Sequence, residues 1–205
     1  MCDPARALIW TAVATSMTVA VATSDRMAAA FQAPATSQAK PPAAADPAAK
    51  TIADFQERVK AYLDAQRKIS ADIPKLPDKA TPEQIDARQR DLGKRIMDAR
   101  KGIKPGDIFG TEVSALVRRL LAPMFKGAEG ARNRAAIFDE PHPVVPAVNV
   151  RYPDDVPLST MPPDIMRVLP KVDPALEYRF IGRHLILLDV EAHLIVDVLA
   201  NAIPA

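Results

Sequence analysis

The side chains best suited to chemistry gather near the end of the chain: His184, Asp189, Glu191, His193 and Asp197. Carboxylates and imidazoles together are common ligands of a metal ion and common partners in proton transfer. Spacing decides whether they can cooperate. On a helix, Asp189, His193 and Asp197 would stack at i, i+4 and i+8, and neighbours in that row could share an ion. On a strand, His193 and Asp197 would stand about 13 Å apart, too far for one ion. The β-branched Ile195, Val196 and Val198 favour the strand. Asp189 as a cap, with Val190, Leu194 and Val198 on one face, keeps the helix open.

Elsewhere the chemistry thins out. His142 lies in the proline-bounded loop Asp139-Glu140-Pro141-His142, where a solvated imidazole is expected. Ser37-Gln38-Ala39-Lys40 has the Ser-x-x-Lys spacing of some acylating enzymes, but its surroundings offer no rigid oxyanion site. There is no G-x-S-x-G, H-E-x-x-H, C-x-x-C or glycine-rich phosphate loop. Only seven glycines occur, which leaves little material for a glycine-built nucleotide cradle. The sequence therefore nominates no catalytic, cofactor-binding or metal-ligating residue, and no cofactor.

The elements that would position these groups read as α+β. Ile52, Phe55, Val59, Tyr62 and Ile69 recur at helical spacing, with Gln66 in the remaining seam position. Thr51 is the expected cap, and Ile73-Pro74-Lys75-Leu76-Pro77 ends the helix, since proline lacks an amide hydrogen. Thr81-Pro82-Glu83-Gln84 has the form of a capping box opening a second helix. That helix is marked by Ile85, Leu92, Ile96 and Met97 and closed by Gly102. The two are expected to form an antiparallel hairpin. A third helix is expected over Thr111 to Phe125, with Val113, Leu116, Val117, Leu120 and Leu121 inward, and a short fourth over Ala128 to Phe138.

Prolines crowd residues 140 to 170 and keep that stretch extended or turning, apart from a turn or two of helix at Pro163 to Leu169. Val148 to Tyr152 alternates and is a candidate strand. Leu176 to Ile181, His184 to Asp189 and His193 to Leu199 then read as a three-stranded antiparallel meander, with Gly182-Arg183 as its first turn. The expected domain plan is a leader over 1–30, an Ala/Pro-rich spacer over 31–50, a helical region over 51–138 and the connection plus meander over 139–205. Residues 51–205 are read as one domain.

The leader reading rests on Ala7 to Ala22, an uncharged apolar run behind Arg6, with A-x-A matches at Ala20-Val21-Ala22 and Ala28-Ala29-Ala30. This is the layout of a secretory signal peptide, with cleavage after Ala22 or Ala30. The run is too short and too rich in Thr and Ser to make a stable membrane span. Cleavage would remove the only cysteine, Cys2, and the only tryptophan, Trp10. The exported chain would then hold itself by packing, without disulfides. Charge divides what remains: residues 50–138 carry 19 bases and 12 acids, while residues 139–205 carry 5 bases and 10 acids. Either the halves neutralise each other, or the basic helices face an acidic envelope partner or surface. Interleaved acids and few aromatics argue against nucleic acid.

The run Tyr178 to Leu199 (YRFIGRHLILLDVEAHLIVDVL) resembles the C-terminal end of uncharacterised exported bacterial proteins. Its order of Tyr-Arg, a short turn, L-x-L-x-D and L-I-V-D-V is also similar to small periplasmic proteins of the nickel/cobalt-homeostasis type. That resemblance covers about a tenth of the chain and implies a β-hairpin and an exported compartment. The histidine richness of metal handling is missing, with three histidines in all, so no metal role is carried over. Two functional classes follow. One is a non-catalytic envelope protein that binds a partner through its helices or meander. The alternative is a small periplasmic metal-binding protein or enzyme using Asp189, Glu191, Asp197, His184 and His193.

Overall fold

A computed structural model describes residues 46–139 and 145–204; the leader, most of the spacer, the Ser37/Lys40 pair and His142 lie outside them. In order the elements are α1 (Pro47–Ala71), α2 (Pro82–Ala99), α3 (Gly110–Leu121), a 3-10 turn (Ala122–Phe125) and α4 (Gly127–Phe138). There follow β1 (Val150–Arg151), α5 (Pro163–Val168), β2 (Leu176–Ile181), β3 (His184–Asp189) and β4 (Leu194–Leu199). The architecture is α+β. Among the described residues no helix is long and apolar enough to cross a membrane.

Helix α1 starts before the expected Thr51. Asp46 is the cap, accepting the Ala48 amide at 3.0 Å, and Pro47 fills the first helical position, where a missing N–H costs nothing. Thr51 instead donates its hydroxyl to the Pro47 carbonyl inside the first turn. The last residues assigned to the spacer are therefore helix. The reciprocal capping box of α2 is present: Gln84 N–H donates to Thr81 Oγ, and Thr81 N–H donates to Gln84 Oε1. Ile85 departs from its expected role and is half exposed, so α2 buries only the narrow stripe Leu92, Gly93 and Ile96. At its far end α2 is closed by Asn149, whose side-chain amide donates to the carbonyls of Met97 and Arg100. Arg100 at the end of α2 lies over the Tyr62 ring, and Arg88 further back reaches Ser70 near the end of α1.

The meander is wider than expected. β1 pairs antiparallel with β4, giving a four-stranded sheet in the order β1-β4-β3-β2. The alternating Val148–Tyr152 stretch thus supplies a strand to the sheet, and β4 becomes an interior strand. The rival helix over 189–200 is excluded: residues 194–199 pair with β3 along their length. His193 stands outside β4, in the turn before it, with a left-handed φ of 51°.

Both faces of the sheet are covered. On one, Phe55, Phe109, Val117 and Leu121 from the helical layer meet Tyr178, Leu185, Leu187 and Val196. Phe55, Phe109 and Tyr178 stack in a row with ring centroids 6.2 and 6.4 Å apart. On the other, Ile181, Ile186, Leu188 and Ile195 are covered by Tyr152 with Val148, Val156 and Leu158. A β-bulge interrupts β4: Leu187 pairs with Asp197, but the adjacent Leu188 pairs with Ile195. Val196 is the extra residue, so the strand's alternation slips by one there. Val196 and Asp197 both face the helices, whereas strict alternation would put Asp197 on the opposite face with Ile195.

Candidate functional site

Among the described residues the chemically suggestive carboxylates do not converge on a cavity; they line the seam between helices and sheet. Asp197 is fully buried. Its Oδ2 accepts the amides of Ile108 and Phe109, both at 2.8 Å, and its Oδ1 accepts those of Gly106 at 2.7 Å and Val198 at 2.8 Å. Converging backbone amides of this kind make an anion hole, able in other settings to hold a phosphate or an oxyanion. Here the chain's own carboxylate fills it and so organises the loop that leads into α3. The bulge makes this possible by turning Asp197 toward the helices. Val196, left unpaired, offers its carbonyl to Arg100 Nη1 at 3.0 Å, while Arg100 Nη2 bonds Asp107 at 3.0 Å.

Asp189 ends β3, also fully buried. It accepts the Tyr62 hydroxyl at 2.7 Å and the Ala192 amide at 2.8 Å. Burial raises its pKa, and the same burial, with the Asp189 charge beside it, raises that of Tyr62. Glu191, at the surface end of the seam, accepts from Arg88 at 2.6 Å, Gln66 at 2.8 Å and Ser70 at 3.2 Å. Partial burial pushes its pKa up, but the hydrogen bonds from Arg88, Gln66 and Ser70 and the Arg88 charge outweigh it, leaving the pKa lowered. The turn that carries these groups presses against α2 at Gly93, where an added Cβ would sit 3.0 Å from the Ala192 carbonyl oxygen.

The histidines lie apart from that seam. His193 packs edge-on against Tyr152, and its carbonyl accepts the Tyr152 amide at 2.9 Å. Burial, followed by the nearby Arg151 charge, lowers its pKa. At the start of β3, His184 accepts the Asn201 amide at Nδ1. The helical row of Asp189, His193 and Asp197 does not exist, because the three occupy a strand end, a turn and a strand interior. Among the described residues no group of three or more His, Cys, Asp or Glu side chains is arranged to hold a metal ion.

Sequence reasoning missed the partners more than the acids. Tyr62 and Gln66 fall on the expected buried stripe, yet nothing local marks them as the donors to Asp189 and Glu191. Arg88, Arg100 and the Gly106–Phe109 amides carry no pattern of their own. The one available signal was Asp197 itself, a charge inside an otherwise aliphatic strand, which must find donors or be excluded from the core. The two halves also meet electrostatically, through Arg88–Glu191 and Arg90–Asp154 at 2.6 Å each. No family model, curated protein or solved structure matches this chain.

Proposed function

We propose that this chain is an exported protein of the cell envelope that works by binding a partner, without catalysis. One observation carries the reading. Asp189, Glu191 and Asp197, the carboxylates a reaction or a metal would need, are each spent on fastening helices to sheet. The helical layer, by contrast, keeps Lys68, Lys75, Lys79, Lys101 and Lys104 exposed and without ion-pair partners among the described residues. These lysines lie on α1 and in the two connections that flank α2. They suit an acidic protein or surface, and the resemblance of the C-terminal run to exported proteins supports the compartment.

The test is chemical crosslinking of the tagged protein in envelope extract of its host, at two ionic strengths. A single stoichiometric partner that is lost as salt rises from about 0.15 M to about 1 M is the expected result, since the screening length falls from about 8 to about 3 Å. A specific partner is accompanied by loss of lysine reactivity at Lys101 and Lys104. Capture of nothing specific at either salt, or loss of activity toward a small molecule on His193→Ala with the fold intact, would overturn it.

A further inference from the structure

β2 is an edge strand, so one side of its backbone has no strand beside it. Its register with β3 assigns every residue a direction. Ile181 pairs with His184 across the two-residue turn, so residues 177, 179 and 181 bond inward and residues 176, 178 and 180 point outward. Of the three outward positions, Phe180 is closed at both groups and Leu176 at its amide. The Phe180 amide donates to Ser159 Oγ at 3.1 Å, and the Phe180 carbonyl accepts from the same hydroxyl at 2.7 Å. The Leu176 amide donates to the Asp173 carbonyl at 2.9 Å. Tyr178 is left over: its amide and carbonyl have no partner among the described residues, though the residue is only 6% exposed. Backbone groups in such a place are ordinarily paired.

That unmet pair opens on a groove of about 490 Å³ between β2 and the returning segment 170–174. Met166, Pro170, Val172 and Pro174 make its apolar wall. Its charges are unequally committed. The Asp173 carboxylate accepts the Ala175 amide, and Glu177 pairs with Arg179 Nη2. The lining carries two acids and two bases, and two donors in it are unmet: Lys171 has no ion pair among the described residues, and Arg179 Nε is buried without a hydrogen-bond partner, although Nη2 holds Glu177. Between the closed positions Leu176 and Phe180 the edge runs about 13 Å, the length of three or four extended residues.

We infer that this groove takes a short extended peptide segment of a partner protein, which adds to β2 at Tyr178. One of its residues exchanges both backbone hydrogen bonds with Tyr178, an apolar side chain covers Val172 and Met166, and a carboxylate side chain answers Arg179 and Lys171. This is strand addition with the specificity set by one acid and one apolar position. It rests on the binding reading above and gives that reading a surface and a partner chemistry.

The experiment selects a phage-displayed random octapeptide library on the full chain, then titrates the synthetic winner into isotopically labelled protein. Sequences with Asp or Glu near an aliphatic residue should be enriched. The peptide should slow hydrogen exchange at the Tyr178 amide at least about tenfold, and N-methylation of the residue facing Tyr178 should weaken binding about tenfold. Arg179→Gln should weaken it by a similar factor. Lys171→Glu, at an exposed position without an ion pair among the described residues, should weaken it several-fold and covers the case in which the first variant unfolds. Enriched peptides that perturb other amides and leave Tyr178 unchanged would overturn this inference while leaving a binding role intact, as would a crosslinked partner with no peptide enrichment. Tyr178 protection that rises with protein concentration alone would assign the groove to a second copy and overturn it. Neither peptide nor crosslinked partner would overturn both readings.

Discussion

Asp197→Asn should destabilise the protein by about 3 kcal/mol, although it changes a single atom. Each carboxylate oxygen of Asp197 accepts two backbone amides at 2.7–2.8 Å. Asparagine keeps one oxygen and sets an NH2 group against the other pair of donors. Two buried amides then lose their acceptor, at about 1–3 kcal/mol each, and the surviving pair drops from charge-assisted to neutral. Removing a buried charge returns part of its desolvation energy, which holds the total toward the lower end of that range. About 3 kcal/mol is a large share of the roughly 5–15 kcal/mol that separates folded from unfolded domains. In urea, with a slope of about 2 kcal/mol/M, the midpoint should fall by about 1.5 M at unchanged slope. Native-state hydrogen exchange should quicken first at Gly106, Ile108 and Phe109. Asp107→Asn is the control, because its partner Arg100 is held independently by the Val196 carbonyl and the Asp107 side chain is exposed, so less than about 1 kcal/mol is expected. A midpoint shift under about 0.5 M for Asp197→Asn, with exchange at the three amides unaltered, would refute the view that this carboxylate organises the start of α3.

Other consequences follow from the seam. Asp189 and Glu191 should drive stability in opposite directions with pH. Asp189 has a raised folded pKa, so its contribution is full below the ordinary value of 3.8 and fades as pH rises through the folded value; urea midpoints of Asp189→Asn should lack that decline. Glu191 has a lowered one, so its contribution is present above the ordinary 4.5 and lost as pH falls through the folded value; Glu191→Gln should flatten that acid limb. His193, also lowered, supports the fold above its ordinary 6.5 and ceases to as pH falls through the folded value; in thermal melts His193→Gln should remove that component. Gly93→Ala should destabilise by about 1 kcal/mol in chemical unfolding despite its better helix propensity, because the added methyl meets the carbonyl of a turn pinned by Asp189 and Glu191.

Local signals in the sequence were a good guide to elements and a poor one to seams. The boundaries of β2 and β3 coincide with their aliphatic runs because Gly182, at a φ of 55°, supplies the turn those runs require. Thr81 and Gln84 announced α2 because a capping box is a contact between neighbours three residues apart. Helical spacing starts α1 at Thr51 although Asp46-Pro47 is itself a cap followed by a first-turn proline; the surrounding Ala/Pro composition masks it. Ile85 reads as inward in the sequence, yet is exposed, because helical spacing says nothing of how wide a face the neighbours cover. The bulge at Val196 was invisible, since it is a property of the pairing between two strands. So were the staples: Tyr62 meets Asp189 across 127 residues, and no window along the sequence spans that.

The sheet order has a consequence in time. β4, the last described strand in chain order, is an interior strand, the only described one that β1 pairs with, and the source of the carboxylate that closes the loop before α3. Synthesis runs from the other end. A chain that has reached residue 190 already holds every described helix, yet β1 lacks the strand it pairs with and the Gly106–Phe109 amides lack their Asp197 acceptor. Residues 46–190 alone therefore lack the strand on which both β1 and the loop before α3 depend. Pairings of such long sequence separation carry a large loop-closure cost, so the sheet and the start of α3 are bound to close together and late.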